Sequence, residues 1–321
     1  MINSGLGTEP IGGHERIRRL ARAAFSREVL RNVIDVIVPL NDQGDRPPIY
    51  CVHSVTGAAT NFTPIAALLG PEQPFFGIQT PTKNRVEQFA SSIEAIGAEY
   101  LARVTEFQAQ GNLVLAGHSV GAMIALEIAQ LMRVEERKVG ILVVFDGELF
   151  NTGADISSLH PLYWWKLLMN LPAWLREARS YFTLVTFAKR VVIKCSVIWR
   201  AAKARRRGIN LTVGHAIDGF INTDYCTPDH VAFMRRLYEI QFNYVPKPYD
   251  GRVLVFVAKT QPLLHYRQVE AAWRKIAPQA EIVHVEGSHT TIMQDTDGKA
   301  VAEILRQKLG RGLIKTQPEP D

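Results

Sequence analysis

Apolar and polar positions along the chain alternate between two rhythms. PIYCVH at 48–53, FFGIQT at 75–80, NLVLAG at 112–117, KVGILVVFD at 138–146, RVLVFVA at 252–258 and EIVHV at 281–285 are short apolar runs. Runs of this kind predict strands buried on both faces. Between them, apolar residues recur every three or four positions. Phe89, Ile93, Ile96, Tyr100, Leu101 and Val104 share one face of a helix predicted over 88–109, and further helices are predicted over 120–133, near 266–277 and near 297–309. Strand and helix in alternation predict an α/β fold with a mostly parallel sheet covered on both faces.

The rhythm breaks between Asp146 and Arg252, where the patterning is helical but irregular. The organisation expected is a flexible leader with a short basic helix (1–35), a first core half (36–150), a lid insertion (151–235), a second core half (236–310) and a disordered tail (311–321). NDQGDRP at 41–47 reads as a polar turn.

Composition narrows the class. A chain of 321 residues, 47% hydrophobic and 21% charged, can bury a large core without staples. Cys51, Cys195 and Cys226 are far apart and form no CxxC pair, which argues against a disulfide framework or a cysteine zinc site and fits a reducing cytoplasm. No apolar stretch reaches the eighteen residues of a membrane span, and no signal-peptide run opens the chain. The net charge of +6 is uneven, since residues 160–207 hold eleven Lys or Arg against one acid, Glu177. The same segment holds Trp164, Trp165, Trp174 and Trp199.

The candidate chemistry starts at LAGHSVGAM, residues 115–123. Gly117-His118-Ser119-Val120-Gly121 lies between a predicted strand and a predicted helix. A strand-to-helix turn this sharp needs small residues two positions before and after its centre. It lifts the Ser119 hydroxyl out at the C-terminal sheet edge and turns the Val120 N–H toward a developing oxyanion. A lone serine is a weak nucleophile and needs a base oriented by an acid. In this architecture the chain order is Ser, then acid, then His. Asp146 ends the next predicted strand, and its competing reading is an ordinary turn aspartate. His289, in VEGSHTTIM, follows the last strand. His284 sits inside that strand, His265 is a weaker rival, His118 points the wrong way along the turn and His53 comes too early. The second oxyanion donor is expected from the loop His53-Ser54-Val55-Thr56-Gly57, at the Val55 N–H.

PPIYCVHSVTG, AGHSVGAMIALEIA, VVFDGE and VEGSHTTIM together resemble the thioesterase domains that end non-ribosomal peptide and polyketide synthases, of the α/β-hydrolase superfamily. The likeness covers roughly 36–150 and 225–310, including PFFGIQTP and FNYVPKPYDGRVLVFVA. It implies an α/β-hydrolase fold with a helical lid, and Ser119 as nucleophile, Asp146 as acid and His289 as base. The place where the external editing type carries its acid is here VAKTQP, which has none. Three features depart from the family. The usual His-Pro-Ala-Gly-Gly loop is replaced by His53-Ser54-Val55-Thr56-Gly57, Asp146-Gly147-Glu148 lacks a nearby proline, and the lid is long and basic.

The resemblance implies release of an acyl, polyketide or peptidyl chain from phosphopantetheine through an acyl-Ser119 ester, by hydrolysis or cyclisation, without a metal or redox cofactor. No carrier motif appears in residues 1–40, so the acyl or peptidyl carrier is expected on another chain or domain. The basic segment reads as a solvated face, as a carrier-docking surface or, less favoured, as peripheral membrane contact; no nucleic-acid motif accompanies the charge. Each tryptophan reads first as lid-core packing, with Trp164, Trp165 and Trp174 also candidates to line an acyl tunnel. The rival functions are a carboxylesterase or lipase on free esters, and a non-catalytic binding protein on the same fold.

Overall fold

A computed structural model of the protein describes residues 35–81, 91–108, 113–135, 139–152, 161–172, 192, 227–260, 267–294 and 296–312. Seven strands run in chain order: β1 (Ile37–Asn41), β2 (Ile49–Val52), β3 (Phe75–Ile78), β4 (Leu113–His118), β5 (Val139–Phe145), β6 (Val253–Thr260) and β7 (Glu281–Ser288). They form one sheet in the order β1-β3-β2-β4-β5-β6-β7. Only β1 is antiparallel to its neighbour. All six strands predicted from the sequence are present. The sequence reading missed β1, whose five residues IVPLN carry Pro39 and pair on one side only.

The described helices are α1 (Thr63–Leu69), α2 (Ile93–Phe107), α3 (Val120–Val134), α4 (Pro161–Leu168), α5 (Pro228–Ile240), α6 (Val269–Ile276) and α7 (Gly298–Gly312). The residues expected to start the first long helix, 88–90, lie outside the described set. There α2 begins at Ile93, where Ser92 Oγ accepts the Ala95 N–H. A side-chain cap of this kind is worth about 1 kcal/mol.

Strand alternation sorts side chains onto two cores. Tyr50, Val52, Leu142, Val144, Val253 and Val255 face α2, α3, α5 and α6, meeting Ile96, Met123, Phe233 and Trp273. Ile49, Cys51, Val143, Phe145, Leu254 and Phe256 face α1 and α7, meeting Ile65, Val301 and Leu305. The interior strands β2 to β6 are therefore largely buried on both faces, as their apolar runs required, whereas edge strand β7, also expected to be buried, buries only Val285 because it has a neighbour on one side alone.

The chain order reverses direction across the sheet between β3-β2 and β4-β5, so loops leaving the C-terminal ends of β2 and β4 diverge to opposite sides. The crevice this opens is where ligands of parallel α/β sheets bind. No described helix is long and apolar enough to cross a membrane. Residues 1–34, where the leader and a basic helix were expected, residues 313–321 of the expected tail and most of the basic segment lie outside the described residues, while α7 runs through 311–312, where the tail was expected to begin. Helix α5 runs unbroken through 235–236, the place expected for the lid boundary, and buries Phe233, Met234, Leu237 and Ile240.

Candidate active site

Ser119 sits between β4 and α3 with φ +58°, in the left-handed region that a non-glycine residue enters only when its surroundings enforce it. The surroundings are visible at the flanking glycines. A Cβ on Gly117 would strike the Gly121 carbonyl, and one on Gly121 would strike the carbonyls of Val52 and His53. The tight crossing of β4, α3 and β2 thus holds the turn. Val120 opens α3, so its N–H is one of the donors that a helix start leaves without an intrahelical partner.

Asp146 follows β5 with φ +48° and is almost wholly buried. Its Oδ1 accepts the Ala258 N–H at 3.0 Å, and its Oδ2 lies 2.8 Å from His289 Nδ1. Burial opposes its ionisation, but the Arg267 cation, His289 and the Ala258 N–H together outweigh burial and hold the carboxyl below its ordinary value.

His289 follows β7 in a loop pinned by its own neighbours. Ser288 N–H donates to Thr291 Oγ1 at 2.9 Å, the Thr291 hydroxyl donates to Asp297 Oδ2 at 2.5 Å, and Ile292 N–H donates to the Ser288 carbonyl at 2.9 Å. The His289 side chain is 24% exposed, so one edge of the ring stays open. Burial first, and Arg267 second, hold its pKa below 6.5. The structure therefore brings acid and base together at the C-terminal edge, beside the Ser119 elbow. Among the described residues no hydrogen bond links the Ser119 hydroxyl to His289.

Four partners of this site escaped the sequence reading. His118 is not idle, since its Nε2 lies 2.8 Å from the His289 carbonyl oxygen and the two rings are 4.7 Å apart. Burial pushes His118 down to about 3, which keeps it a neutral donor to that carbonyl. Arg267, just before α6, places Nη1 2.5 Å from Asp146 Oδ2 and 2.5 Å from His289 Nδ1. Glu148 accepts from Arg267 Nε at 3.4 Å and from the Gln268 N–H at 2.8 Å. Trp273 Nε1–H donates to the Gly147 carbonyl at 2.7 Å and fixes the segment that carries both acids. Glu148 had one sequence signal, because the departure at Asp146-Gly147-Glu148 marks where an extra buried acid enters. Arg267 had none.

Val55 lies in the turn after β2, packed against the core and partly exposed. The Ser54 carbonyl accepts the Gly57 N–H at 3.0 Å and lies 2.6 Å from His53 Nδ1. A planar trans peptide then directs the Val55 N–H to the opposite side. Trp164 and Trp165, on α4, are 54% and 62% exposed, so the core-packing expectation does not hold for them. Trp174 lies outside the described residues.

The thioesterase-domain family model matches residues 47–154, the stretch from β2 past Asp146. Malpinin synthetase of Mortierella alpina is 32% identical over 127 residues, covering 40% of this chain and 2% of that protein. Enterobactin synthase component F of Escherichia coli K12 is 27% identical over 334 residues, covering 94% of this chain and 23% of that protein. The chain thus spans under a quarter of either relative. Among solved structures, the NocB thioesterase domain in covalent complex with a fluorophosphonate nocardicin G analog superposes with a TM-score of 0.53. It shares 18% identity and covers 85% of this chain and 99% of that one. The fold is the α/β-hydrolase fold of these domains, as the sequence resemblance implied.

Proposed function

We propose that this chain, which carries a thioesterase domain like those of non-ribosomal peptide synthetases, releases an acyl or peptidyl chain through a covalent ester on Ser119. The observation that carries the reading is the 2.8 Å contact between Asp146 and His289, formed where β5 and β7 end beside the left-handed Ser119 turn. An acid-oriented imidazole next to a strained, part-exposed serine is the arrangement that acyl transfer needs.

Ser119 Oγ attacks the thioester carbonyl carbon as its proton passes to His289 Nε2. The oxyanion is held by the Val120 N–H and the Val55 N–H. The C–S bond breaks, and the departing thiolate takes the proton from His289. Water, or an amine or hydroxyl of the chain itself, then attacks the ester with His289 again as base, giving a free acid or a ring and restoring Ser119. Every proton in this cycle is held by Ser119, His289 or substrate. The covalent fluorophosphonate complex of the NocB domain supports the serine route by likeness of fold. The acyl chain arrives on the phosphopantetheine of a carrier protein or domain, in the cytoplasm, and the basic segment 160–207 offers charge complementary to an acidic carrier.

The test is intact mass spectrometry after incubation with acyl-pantetheine thioesters, beside Ser119→Ala and a fluorophosphonate. The expected result is a gain of one acyl group that the variant loses. Labelling by fluorophosphonate without acylation by any thioester transfers the reading to free esters. No labelling by either reagent refutes acyl-serine chemistry.

A further inference from the structure

Arg267 and Asp146 make incompatible demands on the same nitrogen. His289 Nδ1 lies 2.8 Å from Asp146 Oδ2, which can only accept a proton from it. The same Nδ1 lies 2.5 Å from Arg267 Nη1, which can only donate. A guanidinium does not surrender its proton in a protein. One nitrogen cannot be donor and acceptor at once, so each contact selects a different tautomer of His289.

We infer that Arg267 is a positioning residue that selects the tautomer of His289, and that its present seat holds the base latent. This rests on Ser119, His289 and Asp146 forming the catalytic set proposed above. While Nη1 donates to Nδ1, the imidazole proton resides on Nε2, and Nε2 cannot accept from Ser119. Once Arg267 leaves the ring, Nδ1–H donates to Asp146 and Nε2 becomes the acceptor that acylation needs.

Glu148 supplies the alternative seat. Its Oε1 is fixed by the Gln268 N–H at 2.8 Å, while Oε2 stands 3.4 Å from Arg267 Nε. Charge-assisted N–H···O⁻ bonds close to about 2.7–2.9 Å, so the guanidinium has room to move toward Glu148. Arg267 and Glu148 side chains are each only 10% exposed, so water competes weakly for either seat.

Electrostatics act in the same direction. His289 must become an imidazolium during acylation, and a cation beside it opposes that charge. Among the described residues, the charged and titratable groups facing His289 are Asp146 and Glu148 after β5, Arg267 before α6 and His118 at the end of β4. Tyr238 on α5 lies within the field of Glu148 and Arg267. Arg267 is the only cation in that set.

The experiment is ¹⁵N NMR of the His289 ring in the full chain, for wild type, Arg267→Met, and Arg267→Met with Glu148→Gln. The double variant also removes the Glu148 carboxylate that faces Arg267, so the tautomer is read in two proteins that differ in buried charge, each checked for fold by its thermal transition. Wild type is expected to show the Nε2–H tautomer and both variants the Nδ1–H tautomer. Fluorophosphonate labelling of Ser119 should accelerate at least tenfold, since a competent general base is worth about 10²–10⁴ in rate. The acid limb of labelling should move to higher pH, because removing a cation favours the imidazolium. An unchanged tautomer, or equal or slower labelling in the double variant, overturns the inference. If Ser119 resists the label in every protein, the acyl-serine reading fails, while the tautomer still decides the role of Arg267.

Discussion

His53 Nε2 lies 2.6 Å from the Tyr100 hydroxyl oxygen, and both side chains are completely buried. The other ring nitrogen, Nδ1, lies 2.6 Å from the Ser54 carbonyl, which can only accept. Nδ1 therefore carries the proton, and Tyr100 donates to Nε2. Burial pushes His53 down to about 4, so the ring stays neutral near pH 7 and this directionality persists. A tyrosine on α2 thereby fixes the Ser54–Val55 peptide plane, and with it the aim of the Val55 N–H.

Tyr100→Phe should lower kcat with little change in KM. An oxyanion donor is worth about 10²–10³ in rate, and loosening it without removing it should cost about tenfold. The orphaned His53 Nε2 should also destabilise the fold by about 1–3 kcal/mol. Single-turnover acylation and urea denaturation measure the two effects. An unchanged kcat would remove the Val55 loop from the oxyanion assignment.

Gly121→Ala should destabilise the protein by several kcal/mol, about the cost of a backbone-directed core clash. Its Cβ would meet the Val52 and His53 carbonyls, which are backbone and cannot rotate away. Gly70→Ala is the control, since its Cβ would meet nothing within 4 Å and only its φ of +86° is penalised. Thermal denaturation of the two variants should rank Gly121→Ala well below Gly70→Ala. Equal losses would mean that the elbow is not held by close packing.

Stability should fall steeply below pH 6.5. His53 and His118 are pushed to about 4 and about 3 in the folded chain, against 6.5 when unfolded. The unfolded state thus binds more protons between those values, and stability rises with pH through that window. Two such groups give a slope of up to about 2.7 kcal/mol per pH unit near pH 5. Urea midpoints at pH 7, 6 and 5 measure it. A flat profile would mean that the two rings are solvated or charged in the folded state.

The parts legible in the sequence are those where one physical demand acts alone. Strands β4 and β5 are buried on both faces, so an apolar run was sufficient to find them, and Ser119 and Asp146 followed from their C-terminal ends. Edge strand β1 mixes buried and part-exposed positions and contains Pro39, so it carries neither a run nor a clean alternation. The seven residues of α1 are too few to show a helical period. The pairing of Arg267 with Glu148 was invisible for a different reason. They stand 119 residues apart, and only the pairing of β5 with β6 brings their segments together.

Asp146→Asn should cut kcat by about 10³–10⁴ with KM nearly unchanged, because an amide in place of the carboxylate stabilises the wrong imidazole tautomer and no longer offsets the imidazolium. The pH profile separates this from a loss of fold. In the native site, burial and Arg267 hold His289 below 6.5 against the pull of Asp146, so the acid limb of kcat/KM should inflect below pH 6.5. Losing the carboxylate removes the strongest interaction that favours the imidazolium, and the limb should move lower still while the plateau falls. The Ala258 N–H can still donate to the oxygen of the substituted amide, but the nearly buried Arg267 cation loses the carboxylate 2.5 Å from its Nη1, so the urea midpoint should also fall at pH 7. Steady-state kinetics from pH 5 to 8 on an acyl-pantetheine substrate test both limb and plateau. A limb that moves upward in Asp146→Asn would mean that another group is the base, with His284, half-exposed and 3.0 Å from Glu270, outside the site and unable to replace it.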